Sequence, residues 1–359
     1  MMSLRLPGPL GSLGPPLLAL VVALSLSACA STGPSTPLTA TAAQAPQRDD
    51  SSAYGLFLAG EAALDNDLDR AAVGYFTLAS ERDDSSLVRQ KAFLAAVAAG
   101  DVDQAAVLAP PPGEGPAPIQ KLAQLARAVA ALADGRGRDA AAAMAKDPGG
   151  TAYVGGYELV KPWAALAGGN VSQAVLLPDT QGQRLNRLAA VLSRSLIYER
   201  LRRYDDAETG YKALTANPQL GVFYAPPYGE FLERRGRWSD AVALYKKFLA
   251  RARDDKALNR ALARATAHGP APPLPDIKQG AGRALISAAE LALVQKSVDE
   301  GEIYLRMGLK LDPQNDEAWL LLGDVRAASG EYEQARQDYA KAPVNADTGL
   351  EAKERIITT

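Results

Sequence analysis

Six residues recur along this 359-residue chain at an almost constant interval. The clearest copy is Gly330 to Ala335 (Gly-Glu-Tyr-Glu-Gln-Ala). Earlier versions run Arg202 to Ala207, Gly236 to Ala241, Gly169 to Ala174, Gly135 to Ala140, Gly100 to Ala105 and Asn66 to Ala71. The closing alanines fall at 71, 105, 140, 174, 207 and 241, in steps of 34, 35, 34, 33 and 34. A fixed period of this length marks an array of helical hairpins, since one hairpin cannot shelter its own apolar face and must stack on the next. The expected fold class is all-α, and such an array suits a binding scaffold far better than an enzyme.

In the best copy, Trp319, Leu322 and Gly323 fall on one face of a first helix, and Gly330 ends it by taking the left-handed conformation. Tyr332, Ala335, Tyr339 and Ala342 then mark one face of a second helix. Gly323 and Ala335 are expected where the two backbones cross closely. Trp319, Tyr332 and Tyr339 are expected to fill the volume between hairpins. These residues resemble the tetratricopeptide pattern W-x2-L-G-x2-Y…G-x-Y-x2-A-x3-Y-x2-A, with Arg326 in place of one tyrosine. The resemblance covers most of the chain and implies a right-handed superhelical solenoid of stacked antiparallel hairpins.

Other copies follow with varying strength. Gly282 to Asn315 offers Leu285, Ala288, Ala289, Gly301 and Leu305, with Pro313 near its end. Gly221 to Asp255 offers Tyr228, Gly229, Gly236, Trp238, Ala241 and Tyr245. Before it, Tyr198, Tyr204, Ala207 and Tyr211 match and Pro218 ends the second helix. The first copy reads Leu58, Ala59, Leu68, Ala71 and Tyr75. Residues 86–153 keep the glycine and alanine but lose most aromatics. Pro162 should kink its helix or push the start later. After Ala241 the next matching position is Gly301, a step of 60. The extra material is a helix from about Lys256 to His268 and then Gly-Pro-Ala-Pro-Pro-Leu-Pro, through which no helix can run. The repeats are therefore expected as an N-terminal block over 52–269, a Pro-rich linker over 270–281 and a C-terminal block over 282–359. Phe231 to Gly236, the proline break and Leu321 to Asp324 also resemble a group of alphaproteobacterial tetratricopeptide proteins of unassigned role. Those are usually longer at the C-terminus; here Glu351, Lys353, Glu354 and Arg355 are expected to solvate a final half-hairpin.

The N-terminus carries the single cysteine, Cys29, after Arg5, an apolar run from Leu17 to Leu26 and Leu-Ser-Ala. A charged start, a short apolar core and small residues before a cut site read as a secretory signal over 1–28. Leu-Ser-Ala-Cys resembles the lipobox of bacterial lipoproteins, which implies lipidation of Cys29 and anchoring to the envelope of a Gram-negative bacterium. Ala30 after it suggests the outer membrane, facing the periplasm. Residues 29–51, rich in Ala, Ser, Thr, Pro and Gln, are expected as a disordered tether. About 20 such residues reach roughly 25 Å.

The chain has 39 basic and 41 acidic side chains and 6% aromatics. That gives neither the field nor the stacking platform that nucleic acid requires. One histidine, His268, and one cysteine cannot build a zinc site. Asp65, Asp67 and Asp69 lack the glycine and distal glutamate of a calcium loop and read as an inter-helix turn. No catalytic residue, metal or cofactor is expected. In the resembled family the first helix of each hairpin lines a concave groove that binds peptides or helices. Carried onto this chain, the groove is Trp163, Leu166, Leu196, Glu199, Arg200, Arg203, Phe223, Glu230, Glu233 and Arg234. The expected function is a lipid-anchored scaffold that binds other envelope proteins. The alternative is a lipoprotein binding peptidoglycan or polysaccharide, for which the chain is poor in aromatics.

Overall fold

Short polar side chains open many of these helices. Ser52, Ser85, Asp101, Asn170, Asp255, Asp276 and Asn315 each accept a hydrogen bond from the backbone N–H three residues on, which has no acceptor within its own helix. Left-handed residues close the first helix of most hairpins. Gly100, Gly135, Gly169, Gly236 and Gly330 all have positive φ there. Two hairpins place Arg202 (φ 59°) and Lys296 (φ 63°) at the same point, a conformation that costs an L-residue about 1–2 kcal/mol.

The computed structural model describes residues 52–66, 68–177, 184–217, 219–342 and 348–359, all within the unit Ala45–Thr359. Every regular element among them is an α-helix. Eight hairpins run in order: α1 (Ala53–Leu64) with α2 (Asp69–Arg82), α3 (Ser86–Ala98) with α4 (Val102–Leu108), α5 (Ala117–Ala133) with α6 (Gly137–Ala143), and α7 (Val154–Ala167) with the four-residue α8 (Val171–Ala174). Then come α9 (Arg184–Arg200) with α10 (Tyr204–Thr215) and α11 (Gly221–Arg234) with α12 (Trp238–Leu249). The single helix α13 (Lys256–Thr266) precedes α14 (Ile277–Val294) with α15 (Val298–Leu311), α16 (Asp316–Ala328) with α17 (Tyr332–Lys341), and the single α18 (Thr348–Thr358). The helical-hairpin array read from the period is thus the observed fold. Cys29, the expected signal (1–28) and tether (29–51), Asp67 and Pro218 lie outside the described residues, as do the side chains of Leu350 and Glu351.

Inside a hairpin, a small residue on the first helix faces a large one sixteen positions later. A Cβ on Gly60 would meet the Phe76 ring at 2.7 Å; Gly229 lies against Tyr245 and Gly323 against Tyr339 in the same way. Buried Ala128 and Met144, Ser195 and Tyr211, and Ala289 and Leu305 keep that spacing. The second hairpin reverses it, with Phe93 and Ala109 both buried. Each pair holds a nearly constant volume, which close packing requires.

Several details differ from the sequence reading. Gly323 makes room for the Tyr339 ring, not for a neighbouring backbone. Tyr332 is 53% exposed and fills no gap, whereas Trp319 is half-buried and donates from Nε1 to the Pro313 carbonyl at 3.0 Å. In the first copy the buried residues are Ala72 and Phe76, one position beyond Ala71 and Tyr75, and Leu58 and Leu68 are exposed. That shift makes the first step 33. Pro162 sits inside α7 without moving its start. Arg355 does not solvate the end of the array, because it turns inward to Asp324.

The largest difference lies between the two expected blocks, which share one core running from Phe93 to Val325. Helix α7, whose own second helix is four residues long, packs on α14, and α14 also packs on α9. The glycine-notch device reappears here between distant helices. The Trp163 indole of α7 fills the notch at Gly280 of α14, and the Tyr304 ring of α15 fills the notch at Gly156 of α7. Lys278 Nζ donates to the Ala133 carbonyl at 2.5 Å, Lys310 pairs with Asp103 at 2.5 Å, and Arg306 donates to the Ala98 carbonyl.

Candidate protein-docking face

The residues assigned to the groove sit on α7, α9 and α11, apart from Arg203 just after α9, and the chain itself occupies much of that face. Trp163 and Leu196 are buried and Leu166 is half-buried. Glu199 is buried and takes a bidentate pair from Arg234 at 2.7 and 2.9 Å. Glu233 is buried and takes the same pair from Arg264 of α13 at 2.8 and 2.9 Å. Glu230 is half-buried, 3.9 Å from Arg234. Arg203 pairs with Asp206 at 2.8 Å and lies over the Tyr198 ring. Only Phe223, 47% exposed, stands free as an apolar anchor among these ten.

One chemical unit repeats along the array. Tyr211 donates to Glu199 at 3.3 Å, and Glu199 holds Arg234. Tyr245 donates to Glu233 at 2.6 Å, and Glu233 holds Arg264. Tyr339 donates to Asp324 at 3.0 Å, and Asp324 holds Arg355 at 2.7 and 3.0 Å. In each, a tyrosine of the second helix and an arginine of the next helix clamp one carboxylate. Burial, then the neighbouring carboxylate, pushes the Tyr211 hydroxyl well above its ordinary pKa, and burial does the same to Tyr245 and Tyr339. These hydroxyls therefore stay donors. The hydrogen bond to Glu233 likewise holds the Arg264 guanidinium above its usual value. The single helices α13 and α18 are clamped alike, each by an arginine 31 positions after the carboxylate. Each covers the open side of the hairpin before it.

Two arginines of this face do something different. Arg200, on α9, donates through Nη1 to the Pro275 carbonyl at 2.7 Å, and Arg234, on α11, donates through Nη1 to the Pro272 carbonyl at 3.0 Å. The connection between α13 and α14, which has no regular secondary structure, therefore crosses the ends of the first helices α9 and α11, with Leu274 packed on the core. Sequence reading placed Arg200 and Arg234 in the groove and the prolines in a linker, and did not join them. The 34-residue interval between the arginines was the available signal.

Burial pushes the Glu230 carboxyl above its ordinary range, against the pull of Arg283, Arg234 and Arg264. His268 stacks on Trp238 with ring centroids 5.4 Å apart. Among the described residues no group of His, Cys, Asp and Glu is placed to hold a metal ion, and no helix is long and apolar enough to cross a membrane.

A sequence profile described as "Tetratricopeptide repeat" matches residues 229–258, which run from the Gly229 notch through α12 into α13. The crystal structure of the P58(IPK) TPR domain aligns at 12% identity over 85% of this chain and 96% of that one, with a TM-score of 0.24. At that score the two shapes do not superpose, and nothing about this chain's curvature or ligands follows from it. No curated protein matches the sequence significantly. Residues 229–258 thus match a tetratricopeptide repeat, within an array whose regular elements, among the described residues, are all helices.

Proposed function

We propose that this protein is a lipid-anchored periplasmic scaffold that binds other envelope proteins and performs no catalysis of its own. The observation that carries the reading is the first-helix face of α9 and α11, where two arginines one repeat apart already hold the backbone carbonyls of a proline-rich segment. Proteins with tetratricopeptide repeats generally bind peptides or other proteins, and the repeat matched at 229–258 includes part of this face. Mixed charge beside the exposed apolar anchor Phe223 suits a protein ligand. The lipobox-like Leu-Ser-Ala-Cys29 supports the anchor, and two or more acyl chains make such anchoring durable.

A photo-reactive residue in place of Phe223, in the full chain expressed in its own host, tests the scaffold. Defined protein adducts are expected, and recovery of glycan adducts alone would turn the reading to the polysaccharide alternative. The anchor has a separate test. Cys29→Ser should move the protein out of the membrane fraction, and unchanged fractionation refutes lipidation.

A further inference from the structure

We propose that Arg200 and Arg234 form a two-rung ladder that recognises an extended proline-rich strand, and that the chain's own Pro270–Pro275 segment is its resident occupant. The partner displacing it would be a proline-rich stretch of another protein. This deepens the scaffold reading above and rests on it.

Three observations carry the proposal. The arginines are 34 positions apart, at equivalent points of successive first helices, and Glu199 ties α9 to α11 through Arg234. Their carbonyl partners, Pro272 and Pro275, are three residues apart in the opposite order. A polyproline strand turns once in three residues, advancing about 9 Å, so carbonyls three residues apart fall on the same side of it. One turn of such a strand therefore presents one carbonyl to each arginine. The chemistry is complementary as well. Arginine only donates, and in Pro-Ala-Pro-Pro-Leu-Pro the prolines have no N–H, so four of six residues offer acceptors alone. The prolines also hold the strand extended before it binds, which lowers the ordering cost.

The ladder is separable from the docking of α14 and α15, which rests on Trp163 in the Gly280 notch and Tyr304 in the Gly156 notch. Arg200 is exposed, and its bond to Pro275 bridges 75 positions of sequence. A tethered strand acts at an effective concentration of about a millimolar, so a partner competes with it rather than meeting an empty face.

The test uses the full chain and a fluorescein-labelled heptapeptide, Gly-Pro-Ala-Pro-Pro-Leu-Pro, followed by anisotropy. In one variant residues 270–275 become alternating Gly and Ser. That variant should bind the peptide at least about tenfold more tightly than the native chain, because the tethered competitor is gone. Within it, Arg200→Ala should weaken binding about fivefold or more, and Arg200→Lys should restore part of the loss. No binding by the folded variant, or binding indifferent to Arg200→Ala, overturns the proposal. Should the variant not fold, Ala271→Cys in a Cys29→Ser chain leaves one thiol on the strand. Its labelling rate should rise several-fold with millimolar heptapeptide and not with an alanine-for-proline control. A rate unmoved by the heptapeptide overturns the proposal too. Protein adducts at position 223 without peptide binding would sink the ladder alone, and peptide binding without adducts would sink the scaffold alone.

Discussion

Trp163 and Gly280 offer a test of how the α14–α15 hairpin is held, through a change of sign. The indole is fully buried, and a Cβ on Gly280 would overlap its ring. Burying about 200 Å² of tryptophan at about 25 cal/mol/Å² stabilises by at most about 5 kcal/mol, in line with losses of about 3–5 kcal/mol for Trp→Ala in cores. Trp163→Leu keeps part of that volume and should cost about 2–3 kcal/mol. In the native chain Gly280→Ala must push the indole aside, at about 1–3 kcal/mol. Alanine's helix preference returns about 1 kcal/mol, so the net change is neutral to destabilising. With leucine at 163 the notch is vacant. Gly280→Ala should then stabilise by up to about 1 kcal/mol, a coupling of about 1–3 kcal/mol. Urea denaturation of the four proteins, followed by far-UV circular dichroism, measures the cycle. Additivity within about 0.5 kcal/mol would refute the indole-in-notch account.

Other outcomes follow from the same geometry. Glu233→Ala strands Arg264 and the Tyr245 hydroxyl, and should cost about 3–5 kcal/mol, with amide exchange of α13 accelerating most; protection of α13 at native levels would contradict the clamp. The swap Phe93→Ala with Ala109→Phe should recover at least half the stability lost in Phe93→Ala alone, as read by thermal melting, because it restores the order used in the other hairpins. Glu230 titrates above its ordinary range in the folded state, so its charge opposes folding above that raised pKa, and the cost fades as pH falls toward the unfolded value. Glu230→Gln should accordingly raise the urea midpoint near about pH 7.5 and leave it unchanged near about pH 4; an equal gain at both pH values would contradict the sign.

Much of the site was visible as residues but not as an arrangement. Glu199, Arg234 and Glu233 were singled out because they fall on first helices at the repeat interval, and they do lie there. Their exposure could not be read, because a carboxylate on a helix face looks solvated until the tyrosine and arginine that enclose it are known. Arg264 was not among the residues assigned to the groove, although it points into Glu233. Its spacing of 31 from Glu233, repeated by Asp324 and Arg355, is a weak signal against the many charged residues of the chain.

By itself the sequence determined what is local: helical hairpins, their left-handed turns and the period of about 34. These depend on neighbours within one repeat, so each copy restates them. The tertiary structure alone decided where α14 and α15 lie. A glycine in a first helix looks the same whether its notch takes the ring of its own hairpin, as at Gly229, or one from over a hundred residues away, as at Gly280. The choice was made by shape complementarity between distant helices, and it turned an open array into one whose face is already partly filled by its own chain.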